Sequence, residues 1–110
     1  MKKRKPTYDL DSFKAVVARA IKNPNDAGVI AGSALKGARS IGFGVAKMGK
    51  AIASLDRTHF KHSVTSHANS QEWQDVYHLP HEDGLIIYIK FRSDKVCEFR
   101  LLSFKDKDEE

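Results

Sequence analysis

The sequence predicts an α+β protein, with N-terminal helices packed on one face of a C-terminal antiparallel sheet. Three observations predict it. Apolar residues recur at three- and four-residue spacing through the first half of the chain. Runs of β-branched and aromatic residues fill the second half, the last two joined by a short polar turn. All helical segments precede all the strand runs, an order that suits segregated layers rather than βαβ units.

Each element follows from its residues. Asp9 or Asp11 can cap a first helix, along which Leu10, Phe13, Val16, Val17, Ala20 and Ile21 share one face and Lys14 and Arg19 turn outward. Asn23, Pro24, Asn25 and Asp26 break it, because proline disfavours helix before itself and asparagine tolerates turns. The short apolar segment 27–31 reads equally as strand or loop. Ser33 can cap a second helix through Leu35, Ala38 and Ile41, which Gly42 stops. A third covers residues 45–55, with Val45, Met48, Ala51, Ile52 and Leu55 inward. Strands are predicted over 62–66, 72–78, 85–92 and 96–105, with Ser93, Asp94 and Lys95 as the hairpin turn between the last two. Alternation puts Leu85, Ile87, Ile89 and Phe91 in the core, and Ile86, Tyr88 and Lys90 on a more polar face. By the same rule Gln74 lies with Val76 and His78, away from Trp73 and Tyr77. Phe99, Leu101, Ser103 and Lys105 share a face opposite Leu102 and Phe104.

The chain has 110 residues, 19 Lys and Arg against 14 Asp and Glu, a formal charge of +5 and a pI near 9.4. That length, with no repeat or linker, predicts a single domain over residues 1–110, in which 1–8 form a flexible basic arm and 106–110 a flexible acidic tail. No apolar run approaches the roughly 18–20 residues of a membrane span. The basic opening lacks the apolar stretch of a signal peptide. Cys97 is the only cysteine, so no internal disulfide forms; it reads as a small core residue. These features predict a cytoplasmic protein without a membrane partner. Positive charge favours polyanionic partners, but it is uneven. Residues 1–50 carry +8 and residues 51–110 carry −3.

No cofactor motif is present. Gly42-Phe43-Gly44 lacks a dinucleotide site's third glycine, and Gly49-Lys50 lacks the rest of a P-loop. His59 with His62 and His78 with His81 are spaced three apart, which invites zinc. A strand sends such a pair to opposite faces, so we expect no metal and assign the histidines to the surface or to a polar groove. RNA cleavage without a metal needs a base for the 2′-hydroxyl, an acid for the leaving 5′-oxygen and cations for the transition state. Lys61, His62, Gln74, Tyr88, Lys90 and Lys105 offer these groups. Composition alone equally accommodates a solvated β-face of Lys and Tyr.

The motifs shift that balance. Residues 63–78, with the core Trp73-Gln74-Asp75-Val76-Tyr77, resemble the signature of the MqsR toxins, ribonucleases of bacterial type II toxin–antitoxin pairs. Lys5-Pro6-Thr7-Tyr8-Asp9-Leu10 resembles the family's opening, Tyr88-Ile89-Lys90 its Tyr-x-Lys strand, and Ser103-Phe104-Lys105 its C-terminal Ser-Phe-Lys. The resemblance runs from about Lys5 to Lys105. It implies a RelE-like fold and metal-independent cleavage of mRNA, with growth and translation inhibited, and a cognate, DNA-binding antitoxin as partner. It also implies catalytic roles at Gln74, Tyr88 and Lys105. Where the family reads Phe-Tyr-Lys-Ser, this chain reads Phe60-Lys61-His62-Ser63, which puts His62 at the lysine position and Lys61 on the opposite face of the strand. Imidazole titrates near neutrality, so His62 is the acid/base candidate. Lys105 is then the phosphate's charge partner, Tyr88 a proton donor or orienter, and Gln74 a positioner. Lys61, Lys90 and His78 are weaker RNA-binding candidates. A different class of function, a catalytically weak module acting with an antitoxin in operon autoregulation, is the alternative that the His62 departure raises.

Overall fold

Asp9 starts α1 (Leu10–Lys22): its backbone is extended and its carboxylate accepts from the Ser12 N–H at 3.0 Å. Leu10, Phe13, Val16 and Val17 form the buried stripe that the sequence spacing predicts. Lys14 does not turn outward as expected. Its Nζ donates to the Leu55 carbonyl at 2.7 Å, tying α1 to the end of α3 (Val45–Ala53). The computed structural model describes residues 1–23 and 28–109. Most of the helix-breaking Asn-Pro-Asn-Asp segment, Ala27 and Glu110 lie outside them.

α2 (Gly32–Ser40) is not capped by Ser33, because Ala31 holds the cap position. The Ser33 hydroxyl instead donates to the Leu102 carbonyl at 2.6 Å, fastening the helix to the sheet. Gly42 takes a positive φ of 78° at the turn into α3, the left-handed conformation that favours glycine. In α3, Met48 and Ile52 are buried, but Val45 is 41% exposed because it opens the first turn, beyond the contact with α1.

The strands are β1 (Lys2–Lys3), β2 (Phe60–Thr65), β3 (Trp73–Pro80), β4 (Ile86–Asp94) and β5 (Glu98–Asp106). They form one sheet in the order β1-β2-β3-β4-β5, each neighbour antiparallel. Lys2 and Lys3, read from sequence as part of a flexible arm, pair with Val64 and Ser63. The helices cover one face, where Phe13 stacks on Phe91 with ring centroids 3.7 Å apart. Ile87, Ile89, Leu101 and Phe104 are fully buried there. The β4–β5 turn falls at residues 95–97, later than predicted. Asp94 sets it by accepting from the Val96 and Cys97 N–H groups at 3.0 and 3.1 Å. That turn leaves Cys97 half-buried at the margin of the core.

Two bulges correct the alternation rule. Lys90 faces Ser103 while Phe91 faces Leu101, so Leu102 is an extra residue in β5. The extra residue lets Leu101 and Phe104 both enter the core and turns Lys105 to stand opposite Tyr88. In β2, Phe60 faces Tyr77 and His62 faces Val76, which makes Lys61 the extra residue. Lys61 is therefore not sent to the face opposite His62; the two line one recess.

The segments that carry the family resemblance meet in space. Asp75, fully buried, accepts from the Thr7 N–H at 3.1 Å and the Tyr8 N–H at 2.9 Å. The Tyr8 hydroxyl donates to the Trp73 carbonyl at 2.7 Å. Tyr77 is buried in the core, and burial pushes its phenol up to about 12. Trp73 stays half-buried, with the Lys3 ammonium 4.2 Å from its ring centroid.

Candidate active site

The face of the sheet turned away from the helices carries the site, because alternate residues of β2 to β5 point there. Register arranges them in cross-strand rows. His62, Val76, Lys90 and Ser103 form one row; His78, Tyr88 and Lys105 form the next; Gln74 stands opposite Val64. His62, Val64, Gln74, Tyr88 and Lys90 line a groove of roughly 900 Å³, together with Met1, Lys2, Thr65 at the end of β2 and residues 66–68 of the loop after it.

Four sequence candidates, His62, Gln74, Tyr88 and Lys90, thus share one groove. Three stand just outside its lining. The Lys105 ammonium lies 5.6 Å from the Tyr88 ring centroid. The His78 and Tyr88 rings are 5.7 Å apart. Lys61 lines an adjoining recess with His62, Lys2, Arg4 and Phe60.

Gln74 is nearly buried at 8% exposure, and its amide is not free to turn. Its Nε2 donates to a Glu72 carboxylate oxygen at 2.9 Å, and that oxygen lies 3.6 Å from Nε of Arg92. The amide oxygen is thereby left as the acceptor. Sequence reasoning missed Glu72, and read Lys2 only as part of a basic arm with a general attraction for RNA or an acidic partner. Glu72 had a signal, since two-residue spacing puts it on the Gln74 face. No spacing signal put Lys2 beside His62, 60 positions away.

Burial and neighbouring cations set the protonation of the site. Burial, then the charges of Lys2 and Lys61, hold the His62 imidazole below its usual range. Burial first, then Lys61, Lys107 and His62, do the same to His78. Burial lifts the Tyr88 phenol above its usual value. Burial and the Lys105 charge lower the Lys90 ammonium, which Glu72 partly offsets. The groove therefore offers neutral imidazole, an intact phenol, an amide carbonyl and an ammonium readier than usual to give up its proton.

The histidines are otherwise dispersed. His59 Nδ1 accepts from the Asp56 N–H at 3.0 Å, and His81 packs edge-on to Phe43. Among the described residues, no three His, Cys, Asp or Glu side chains gather as metal ligands. Nor, among them, is any helix long and apolar enough to cross a membrane.

A sheet of this kind, with its open face carrying imidazole, amide, phenol and ammonium groups, goes with a sequence match over residues 5–106, nearly the whole chain. The matching family is described as motility quorum-sensing regulator, toxin of MqsA. The chain belongs to this MqsR toxin family and is the toxin of a toxin–antitoxin system, which makes an antitoxin its partner. A search among curated proteins found no match.

Proposed function

We propose that the protein is a metal-independent endoribonuclease that cleaves mRNA in the bacterial cytoplasm. Cleavage inhibits translation and growth until a cognate, DNA-binding antitoxin restrains it. The observation that carries this reading is the convergence of His62, Gln74, Tyr88 and Lys90 on one groove, with Lys105 beside Tyr88.

His62, held neutral, takes the proton of the ribose 2′-hydroxyl as its oxygen attacks the adjacent phosphorus. The bond from phosphorus to the 5′-oxygen breaks, leaving a 2′,3′-cyclic phosphate on one fragment. Lys90 sits two strands from His62, about 10 Å across the sheet, which leaves room for a phosphodiester between them. Its readiness to lose a proton suits it to protonate the departing 5′-oxygen. Tyr88 keeps its proton and donates a hydrogen bond to the phosphate. Lys105 supplies positive charge to the transition state. The fixed carbonyl of Gln74 accepts from the nucleotide and orients it.

Purified protein incubated with single-stranded RNA in EDTA tests this. We expect fragments ending in 2′,3′-cyclic phosphate, and no cut in DNA of the same sequence, which lacks the nucleophile. Intact RNA at micromolar protein sinks the proposal, as does normal growth on induction without antitoxin. His62→Lys beside His62→Ala separates this reading from that of a catalytically weak module. Activity gained only in His62→Lys favours the module.

A further inference from the structure

We infer that the recess bounded by Lys2, Arg4, Phe60, Lys61 and His62 is a binding site for a backbone phosphate of the RNA strand, next to the linkage that is cut. This rests on the ribonuclease reading of the adjoining groove. The recess holds roughly 500 Å³, and its wall contains two lysines, an arginine and no carboxylate. Among the described residues no ion pair engages Lys2, Arg4 or Lys61, whereas Arg19, Arg92 and Lys107 are all paired.

The recess is built by two features of the fold that bring the basic N-terminal run against β2. Pairing of Lys2 with Val64 and Lys3 with Ser63 lays the N-terminal strand beside β2 and brings Lys2 and Arg4 to the edge of the sheet. The bulge at Lys61 adds a third cation from β2. The placement suits a nucleic-acid strand. His62 and Lys2 line both the recess and the groove, so a chain crossing the catalytic groove passes directly into the recess. The guanidinium of Arg4 can hold phosphate oxygens through two parallel N–H donors, and the two ammonium groups add charge. Phe60 gives the recess an apolar side against which a sugar or base can rest. Phosphate contacts of this kind position a strand without reading its sequence.

The experiment measures binding apart from cleavage. A fluorescein-labelled single-stranded RNA, fully 2′-O-methylated so that it cannot be cut, is titrated by anisotropy at several salt concentrations. The wild type is compared with Lys2→Gln/Arg4→Gln/Lys61→Gln and with Lys47→Gln/Lys50→Gln on the far side of the molecule. Circular dichroism verifies folding, and single Arg4→Gln is the fallback if the triple variant is unstable. We expect the recess variant to bind about threefold or more weakly, with the log–log salt slope reduced by about 0.7, the value for one single-strand phosphate. The control keeps both values. Unchanged affinity and slope in the recess variant overturn the inference, as does absence of RNA binding by the wild type. Unchanged RNA affinity with lost binding of the antitoxin overturns it too, and makes the recess a protein dock. A wild type that binds RNA through the recess but cuts none in the EDTA assay upholds the site and removes the ribonuclease reading.

Discussion

Glu72 holds Gln74 in place: a carboxylate oxygen of the first accepts from the side-chain Nε2 of the second at 2.9 Å. Arg92 Nε lies 3.6 Å from the same oxygen, and the guanidinium also bonds Asp94 at 3.0 Å. Glu72→Ala therefore frees an amide whose orientation decides whether a carbonyl or an NH2 faces the groove. We expect cleavage to fall about tenfold, the worth of one charge-assisted hydrogen bond. Glu72→Gln keeps an acceptor and retains most of the activity. Rates of the single and double variants, Gln74→Ala included, check this. The double variant should be no worse than Gln74→Ala alone, and additive losses refute the coupling.

The pH profile of cleavage should show the held-down His62. A base must be neutral to work, so activity is lost as pH falls through its pKa. Burial and the Lys2 and Lys61 charges lower that pKa, placing the acid limb below the 6.5 of an ordinary histidine. Lys2→Gln removes one repelling charge and should move the limb to higher pH. A limb that stays put in Lys2→Gln, or a limb and rate unchanged in His62→Ala, assigns the base elsewhere.

Lys105 should act in two separable ways. Lys105→Ala withdraws charge from the transition state and is expected to lower the rate about 100-fold. It also removes the cation that helps lower Lys90. Lys90 must be protonated to act as acid, so the basic limb of the profile should move to higher pH in this variant. A rate loss with no movement of that limb would leave Lys90 without its assigned role.

Asp75 is a structural residue within the motif that carries the family resemblance. Its carboxylate is fully buried against the backbone N–H groups of Thr7 and Tyr8. Asp75→Ala leaves those donors unsatisfied and should cost about 2–3 kcal/mol in urea unfolding. Its failure to destabilise would mean that the N-terminal segment is held by other contacts.

Gly37 and Gly49 should respond differently to alanine, although both lie in helices. A Cβ at Gly37 collides with the Phe104 carbonyl of β5, which is backbone and cannot swing aside. A Cβ at Gly49 meets only the tip of the Ile21 side chain. Gly37→Ala should therefore destabilise by about 1–3 kcal/mol and disturb Lys105, the next residue of that strand. Gly49→Ala should stay within about 1 kcal/mol of the wild type, since alanine favours helix by about that amount. Thermal unfolding of the two variants side by side decides the point.

Much of the architecture was legible because it rests on local periodicity. The α1 stripe, the buried row Ile87, Ile89 and Phe91, and the outward row Tyr88 and Lys90 follow from spacings of 3.6 and two. Boundaries were less legible where one side chain redirects the backbone. Asp94 delays the last turn by capturing two N–H groups, and Ser33 forgoes its capping role to bond β5. The motif residues Gln74 and Tyr88 were read from sequence, and their common groove was not.

The sequence by itself determined the three helices and the four long strands, which family the chain resembles, and which side chains have the chemistry for RNA cleavage. Only the tertiary structure decided which of them share a face. A strand turns its side chains with a period of two, so one extra residue reverses everything after it. The bulge at Leu102 brings Lys105 beside Tyr88, and the bulge at Lys61 places that lysine with His62. Neither bulge is marked by glycine or proline, because each is fixed by what packs around it: α2 against β5, and the half-buried Phe60 ring against Tyr77. Lys2 reaches the site by pairing with a strand some 60 residues away. No local pattern encodes a contact of that range.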